Sequence, residues 1–374
     1  MPRYIIDEAA LKRNLGILKH VADAAGVKIL LAQKAFSCAA TYPLCAQYLA
    51  GTTASSLFEA KHGHDNFGGE THVFAPAFIP EEMDELLGLV DHIVFNSPRQ
   101  VEKYGEIARA RGVSVGLRVN PEVSVATTPA YDPCRPSSRL GTTRATMDEY
   151  STGKKQAIDG LHFHCLCEQG LDELKKVLAG FEEKFGDLLP QVKWVNFGGG
   201  HHITRADYDV EGLVALLTGF HARYPHLEVY LEPGEAVALN AGTLESRILE
   251  IQSPGADGIS NAILDVSAAC HMPDVLEMPY TPRVVGSRIG AEGPFVYRFG
   301  GPTCLAGDEI GVYSFDHPLV EGDAVVFEDM AIYSMVKNNT FNGVNLPDIA
   351  LRRTDGGLET LRTFGYRDFA IRLG

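Results

Sequence analysis

Eight short apolar runs recur through residues 27–234, and most are separated by a stretch with helical periodicity. The runs are VKILLAQK (27–34), GTTASS (51–56), THVFAP (71–76), HIVFNS (92–97), SVGLRVN (114–120), GLHFHCL (160–166), WVNFGGG (194–200) and EVYLEPG (228–234). Amphipathic segments such as PEEMDELLGLV (80–90), SPRQVEKYGEIARARG (97–112) and LDELKKVLAGFEEKFG (171–186) lie between them. Strands that alternate with helices pair in parallel, because a crossover helix returns the chain to the same edge. Eight such units predict an α/β chain with a closed, TIM-like (β/α)8 barrel. The rival, an open doubly wound sheet, would carry G-x-G-x-x-G after its first strand, and that turn lacks it. Beyond Gly234 the texture becomes short β-rich runs: 243–252, 261–269, 283–289, 295–301 and 323–330. The expected organisation is a barrel over 7–238 and an all-β C-terminal domain over 239–374, with an N-terminal strand (1–6) pairing into it. One interval, 121–159, is rich in Pro, Thr and Ser and reads as a long insertion near the barrel mouth.

Composition narrows the partners. The chain of 374 residues has 33 Lys and Arg against 48 Asp and Glu, a net charge of −15. Such a surface repels phosphate backbones, which argues against nucleic acid. No apolar run approaches membrane-spanning length. The seven cysteines are irregularly spaced, and the chain opens MPRYIIDEAALKRN without a leader-like segment. A cytoplasmic protein with reduced thiols is expected.

Barrel active sites form at the carboxyl ends of the strands, so those positions carry the functional argument. The first run ends in Lys34, the fifth holds Arg118, the sixth holds His162 and His164, the seventh ends in Gly198-Gly199-Gly200, and the eighth in Glu232-Pro233-Gly234. A lysine after a strand usually extends to solvent. At a buried barrel end its amine can be desolvated and become nucleophilic, as a Schiff-base lysine requires. The glycine triplet serves a tight turn or lets the backbone approach an anion. His162, His164, Cys165 and Cys167 include soft donors, but strand alternation sends histidines and cysteines to opposite faces, so no metal is expected. Glu232 caps a turn or holds a protonated ring nitrogen. A lysine, an anion cradle, a stacking imidazole and a carboxylate are the four fittings that pyridoxal 5'-phosphate needs.

QKAFS, GLHFHCLCE, NFGGGHHIT, EPGEA, CHMPDVLEMPY and GPTCLAGD, in this order over essentially the whole chain, resemble the fold-type III pyridoxal-phosphate decarboxylases. These include the ornithine and diaminopimelate decarboxylases, and the nearest branch is that of the carboxynorspermidine (carboxyspermidine) decarboxylases. The resemblance implies that Lys34 carries the cofactor and His164 stacks on its ring. Gly199 and Gly200 would hold its phosphate, Glu232 would pair with the pyridinium nitrogen and Arg118 would lie near the phenolic oxygen. Cys304 would act as proton donor from a partner subunit and Tyr333 would contact the phosphate region. It further implies a homodimer with shared active sites, and a tail near 333–345 that returns to the barrel.

Two departures bear on substrate. Where diaminopimelate and ornithine enzymes commonly carry arginine after EPG, this chain has Glu235; where the diaminopimelate enzymes commonly have glutamate after the cysteine, it has Leu305. A carboxylate in place of a cation favours an ammonium over a distal carboxylate. The implied reaction is decarboxylation of a carboxylated polyamine in polyamine biosynthesis, with Glu235, Asp274 and His271 as substrate-binding candidates and Glu277 beside them. The missing arginine leaves part of the phosphate grip to backbone amides or His201. The alternatives are a diaminopimelate decarboxylase, a non-catalytic barrel that holds pyridoxal phosphate, and a cofactor-free Schiff-base aldolase.

Overall fold

The computed structural model describes residues 2–151 and 158–374; residues 152–157, inside the expected insertion at 121–159, and Met1 lie outside them. The chain forms two compact units, Asn14–Val237 and the combination of Met1–Arg13 with Ala238–Gly374.

In the first unit eight parallel strands close a barrel. With β1 (Arg3–Asp7) belonging to the other unit, these are β2 (Lys28–Ala32), β3 (Gly51–Ala54), β4 (Glu70–Phe74), β5 (His92–Phe95), β6 (Ser114–Arg118), β7 (Gly160–His162), β8 (Trp194–Asn196) and β9 (Glu228–Leu231). β2 pairs with β9 through Lys28–Tyr230 and Ile29–Leu231, which closes the ring. All eight expected strands are present, yet each ends two to four residues earlier than its apolar run. The overrun residues leave the ladder and turn into the mouth, where side chains are spent on chemistry rather than on pairing.

Helices flank the strands for ordinary reasons. Pro98–Ala110 begins at Ser97, whose side chain accepts the Gln100 N–H, with proline in the first turn. Leu171–Phe185 buries Leu174, Val177, Leu178 and Phe181, a stripe at helical spacing. The barrel interior is built around Trp194, packed with Leu30, Val94 and Tyr230. Its indole fits because two neighbouring strands carry glycine: a Cβ on Gly160 would lie 2.0 Å from Trp194 Cδ2, and one on Gly116 2.4 Å from Cη2. Below it the floor is polar. Tyr230 Oη donates to Glu228 (2.5 Å) and lies 3.0 Å from Glu70, whose other oxygen takes the Lys28 ammonium at 2.5 Å. His72 and His92 stack there at 4.0 Å with planes 13° apart. With Glu70 they bring three donor atoms within 4.8 Å of one another.

The second unit is a nine-stranded sheet in which β1 lies between β10 (Gly242–Ile251) and Asp348–Arg352. Three of its strands, Glu309–Phe315, Asp348–Arg352 and Leu358–Arg362, fall outside the β-rich runs read from the sequence. Short helices at Ala268–His271, Asp274–Glu277 and Ser334–Lys337, and a longer one at Tyr366–Leu373, accompany the sheet.

Gly160→Ala should destabilise the barrel by at least about 1–3 kcal/mol, because the added methyl overlaps the indole. Urea denaturation measures this, and Trp194→Leu in the same chain should recover part of the loss.

Candidate active site

Lys34 sits in the turn that follows β2. That turn is fixed by Ala32 N–H to Pro233 O (3.1 Å), Gln33 N–H to Thr53 O (3.2 Å) and Ala35 N–H to Ala32 O (3.2 Å). Gln33, fully buried, locks it further by donating to Glu59 O at 2.8 Å and accepting from Tyr42 Oη at 3.0 Å. The Lys34 side chain is reachable by solvent but stands within protein walls. Among the described residues its ammonium makes no hydrogen bond or ion pair. Burial pushes its pKa below the ordinary lysine value; Glu232 and Glu235 oppose that shift and Arg118 adds to it. A lysine with no partner and reduced basicity is one prepared to act as an amine.

Glu232 is 7% exposed and follows β9. Its Oε2 accepts from Asn196 Nδ2 at 3.1 Å. Its Oε1 lies 2.9 Å from His162 Nε2, without the alignment of a hydrogen bond, and 3.5 Å from His164 Nδ1. Burial works against its charge, but His162, whose Nε2 is the imidazole atom nearest it, outweighs burial and holds the carboxyl well below its usual range. Burial in turn pushes His162 down and His164 to about 3. The pocket therefore holds one carboxylate and two neutral rings. Gly199 N–H donates to His164 Nδ1 at 3.2 Å, which puts the ring proton on Nε2.

Arg118, 5% exposed, donates to His164 O at 2.8 Å and lies over the Phe74 ring at 4.5 Å. The loop after β8 has left-handed glycines at Gly198 (φ 73°) and Gly200 (φ 83°). A Cβ on Gly199 would stand 2.3 Å from Glu232 O, and one on Gly200 2.0 Å from Leu166 O. Glycine is what allows three loops to touch backbone to backbone here. The alternation argument for GLHFHCL does not reach its end, because β7 stops at His162. Cys167 consequently lies close enough to the mouth to influence Lys34.

The remaining candidates lie in the other unit. Cys304 is exposed, and its N–H donates to Asn342 Oδ1 at 2.8 Å. Tyr333 has φ 49° and ψ −50°, a strained backbone for a tyrosine. Asp274 and Glu277 both contact the Lys337 ammonium, Glu277 at 2.5 Å. His271 is fully buried, with Nδ1 accepting from Ser267 N–H and Nε2 on Asn345 O, each at 3.1 Å. Both its nitrogens are engaged inside its own unit, leaving none to offer a substrate in this arrangement.

Two positioning residues escaped sequence reasoning. Asn196 donates to Glu232 and accepts the Gly198 N–H at 2.8 Å, so one amide orients both carboxylate and glycine loop. Asp308, 4% exposed, accepts from Ser267 Oγ (2.9 Å) and Thr303 Oγ1 (2.7 Å), shaping the loop that carries Cys304. Each lies at the edge of a motif, Asn196 in NFGGGHHIT and Asp308 in GPTCLAGD, but neither motif shows the partner that the residue orients.

A barrel whose mouth gathers an unpaired lysine, a buried carboxylate beside two imidazoles and a glycine turn fits a pyridoxal-phosphate enzyme of the barrel class: Lys34 is an amine of lowered basicity for the aldehyde, and Glu232 is a charged acceptor for a ring N–H. The family model described as "Pyridoxal-dependent decarboxylase, C-terminal sheet domain" matches residues 4–331, and the chain belongs to that family of decarboxylases. It is 43% identical over 374 residues to the carboxyaminopropylagmatine decarboxylase of a Synechocystis species, covering 100% of this chain and 95% of the relative. It is 42% identical over 386 residues to the carboxynorspermidine/carboxyspermidine decarboxylase of Campylobacter jejuni, covering 99% and 98%. A crystal structure of carboxynorspermidine decarboxylase complexed with norspermidine, also from C. jejuni, superposes with a TM-score of 0.91 at 41% identity, covering 100% and 99%. The diaminopimelate decarboxylase of Haemophilus influenzae is 25% identical over 64% of this chain and 59% of its own.

Buried imidazoles set a pH dependence of stability. Burial pushes His92, His164 and His201 to about 3 and His271 to about 4. Unfolded histidines titrate near about 6.5, so the unfolded chain takes up these protons first. Stability should be complete above about pH 6.5 and fall as pH drops toward about 4, with His202 as a smaller opposing contribution. Urea midpoints measured from about pH 7.5 down to about pH 5 should decrease steadily.

Proposed function

We propose that this decarboxylase acts on a carboxylated polyamine, carboxynorspermidine or carboxyspermidine, releasing CO2 and norspermidine or spermidine. The observation that carries the reading is Glu235, a carboxylate beside Glu232-Pro233-Gly234 whose charge is felt at Lys34. It offers an acceptor to an amine in the remainder of the substrate and none to the second carboxylate of diaminopimelate. The full-length similarity to the C. jejuni enzyme supports it. A second reading, carboxyaminopropylagmatine, has comparable full-length support from the Synechocystis relative. The two differ in whether an ammonium or a guanidinium is recognised, and a carboxylate accepts either.

Bound pyridoxal phosphate supplies the electron sink that lets the bond from Cα to the carboxylate break. Lys34 offers an amine of reduced basicity to the cofactor's aldehyde. Glu232, ionised, holds a proton at the pyridine nitrogen, with Asn196 fixing the carboxylate's orientation. His164, neutral, would cover one ring face, Arg118 would lie beside the phenolic oxygen, and Gly199 and Gly200 would bring backbone to the phosphate. Tyr333 completes the phosphate side. Cys304 of the partner subunit delivers a proton to Cα after CO2 leaves. Asp274 remains a substrate-binding candidate, in competition with Lys337 for its charge. The enzyme works as a cytoplasmic homodimer. Among the described residues no helix is long and apolar enough to cross a membrane.

CO2 release measured side by side from carboxynorspermidine, carboxyspermidine, carboxyaminopropylagmatine and meso-diaminopimelate tests the substrate. Turnover of diaminopimelate alone would overturn the role given to Glu235. Cys304→Ala should lower kcat by about 10²–10⁴-fold while the cofactor stays bound. If sites are shared, mixing inactive Lys34→Ala and Cys304→Ala dimers should restore about one quarter of wild-type activity, because half the dimers then hold one intact site.

A further inference from the structure

Two loops of the barrel mouth are tied by a histidine–carboxylate pair that the cofactor roles above leave unused. His202 Nε2 lies 3.2 Å from Glu235 Oε2, and both side chains are nearly buried. Three residues separate His202 from Gly198, and Glu235 follows Gly234 directly. The same loops are joined by Thr204 Oγ1, which donates to Ala236 O at 2.6 Å. Gly199 packs on the backbone between them, where a Cβ would lie 2.3 Å from Glu232 O and 3.3 Å from Pro233 Cα. An acidic residue is therefore fixed on the loop that packs against the glycine triplet, the seat proposed above for the cofactor's phosphate. Two anions that close, shielded from water, repel by several kcal/mol unless a cation intervenes.

We propose that His202 is that cation: as an imidazolium it neutralises Glu235, so that the glycine cradle accepts the cofactor's phosphate and Glu235 keeps its second oxygen for the substrate's amine. The inference rests on the reading that the phosphate lies against Gly199 and Gly200. The surroundings favour the proton. Burial works against it, but Glu235 outweighs burial and Glu168 adds to it, while Arg205 opposes, leaving His202 more basic than an ordinary imidazole. His201 and Asp207 also face it: His201 is pushed down by burial and by His202, and Asp207 is held low mainly by Arg205. Phosphate binding and protonation of His202 are then linked. Cofactor affinity is highest where His202 is protonated and declines as pH rises through its pKa.

The test is equilibrium binding of pyridoxal phosphate and of pyridoxal, which lacks the phosphate, to the full-length apoprotein, followed by absorbance. The ratio of the two affinities isolates the phosphate and cancels the titration of Lys34. His202→Gln should lower that ratio by about 10- to 100-fold at neutral pH, since it leaves an unpaired carboxylate beside the anion. Glu235→Gln should preserve the ratio and flatten its dependence on pH. The double variant should return to within a few-fold of Glu235→Gln. A ratio unchanged in His202→Gln, or a double variant no better than His202→Gln alone, overturns the charge-balancing role. Gly199→Ala, with pyridoxal affinity as its folding control, tests the underlying seat. Should it leave the ratio intact, the phosphate is held elsewhere and both readings fall. Should it collapse the ratio while His202→Gln does not, the seat stands and only the role of His202 is lost.

Discussion

The carboxylate of Glu232 is buried against two imidazoles, and an ionised group with so little water is tolerable only if its surroundings are rigid and satisfied. Much of the barrel mouth follows from meeting that condition. Asn196 supplies the amide hydrogen bond and in the same gesture holds the Gly198 N–H. The glycine loop can reach this position only because Gly199 has no Cβ to strike the Glu232 carbonyl. Pro233, one residue on, accepts the Ala32 N–H and so anchors the turn that presents Lys34. Carboxylate, glycine cradle and lysine are thus three parts of one hydrogen-bonded arrangement, and a shift in one displaces the others.

That arrangement sorts charges in a way suited to decarboxylation. The amine with depressed basicity stands free, the carboxylate is ionised and the rings beside it are neutral. Each state comes from burial and neighbours rather than from residue type, the usual means by which one site runs acid and base chemistry together. The second acid of the mouth, Glu235, is matched to His202 instead of being left alone. In the sheet unit the same economy appears at Asp308, which gathers Ser267 and Thr303 and thereby shapes the turn bearing Cys304.

Reading the sequence recovered the eight barrel strands because fully buried parallel strands are continuous apolar runs bounded by turn residues. It overran their ends, since the same residues continue past the ladder into the mouth. The alternation argument held for His162 and His164, which both face Glu232, and for Cys165, which lies beside Cys134, but not for Cys167, because β7 ends at His162 and strict alternation ends with it. Asn196 and His202 lie in NFGGGHHIT and Asp308 in GPTCLAGD, but the motifs did not show what each orients, because an orienting residue is defined by its partner. Asn196 and Glu232 are 36 residues apart, and His202 and Glu235 are 33 apart. His271 and Asp274 drew attention as polar residues in a distinctive motif. Folded, one is enclosed with both nitrogens bonded and the other already holds a lysine.

What the sequence by itself determined was the periodicity, and with it the strands, their parallel closure and the position of Lys34, Glu232 and the glycine triplet at one end of the barrel. Those follow from local chemistry, since a strand's burial and a glycine's freedom need no distant partner to be read. Which charges meet, which imidazoles stay neutral and which acids are already matched was decided only by the tertiary structure. Burial and pairing are properties of a place, and the place is assembled from loops that lie far apart in the chain.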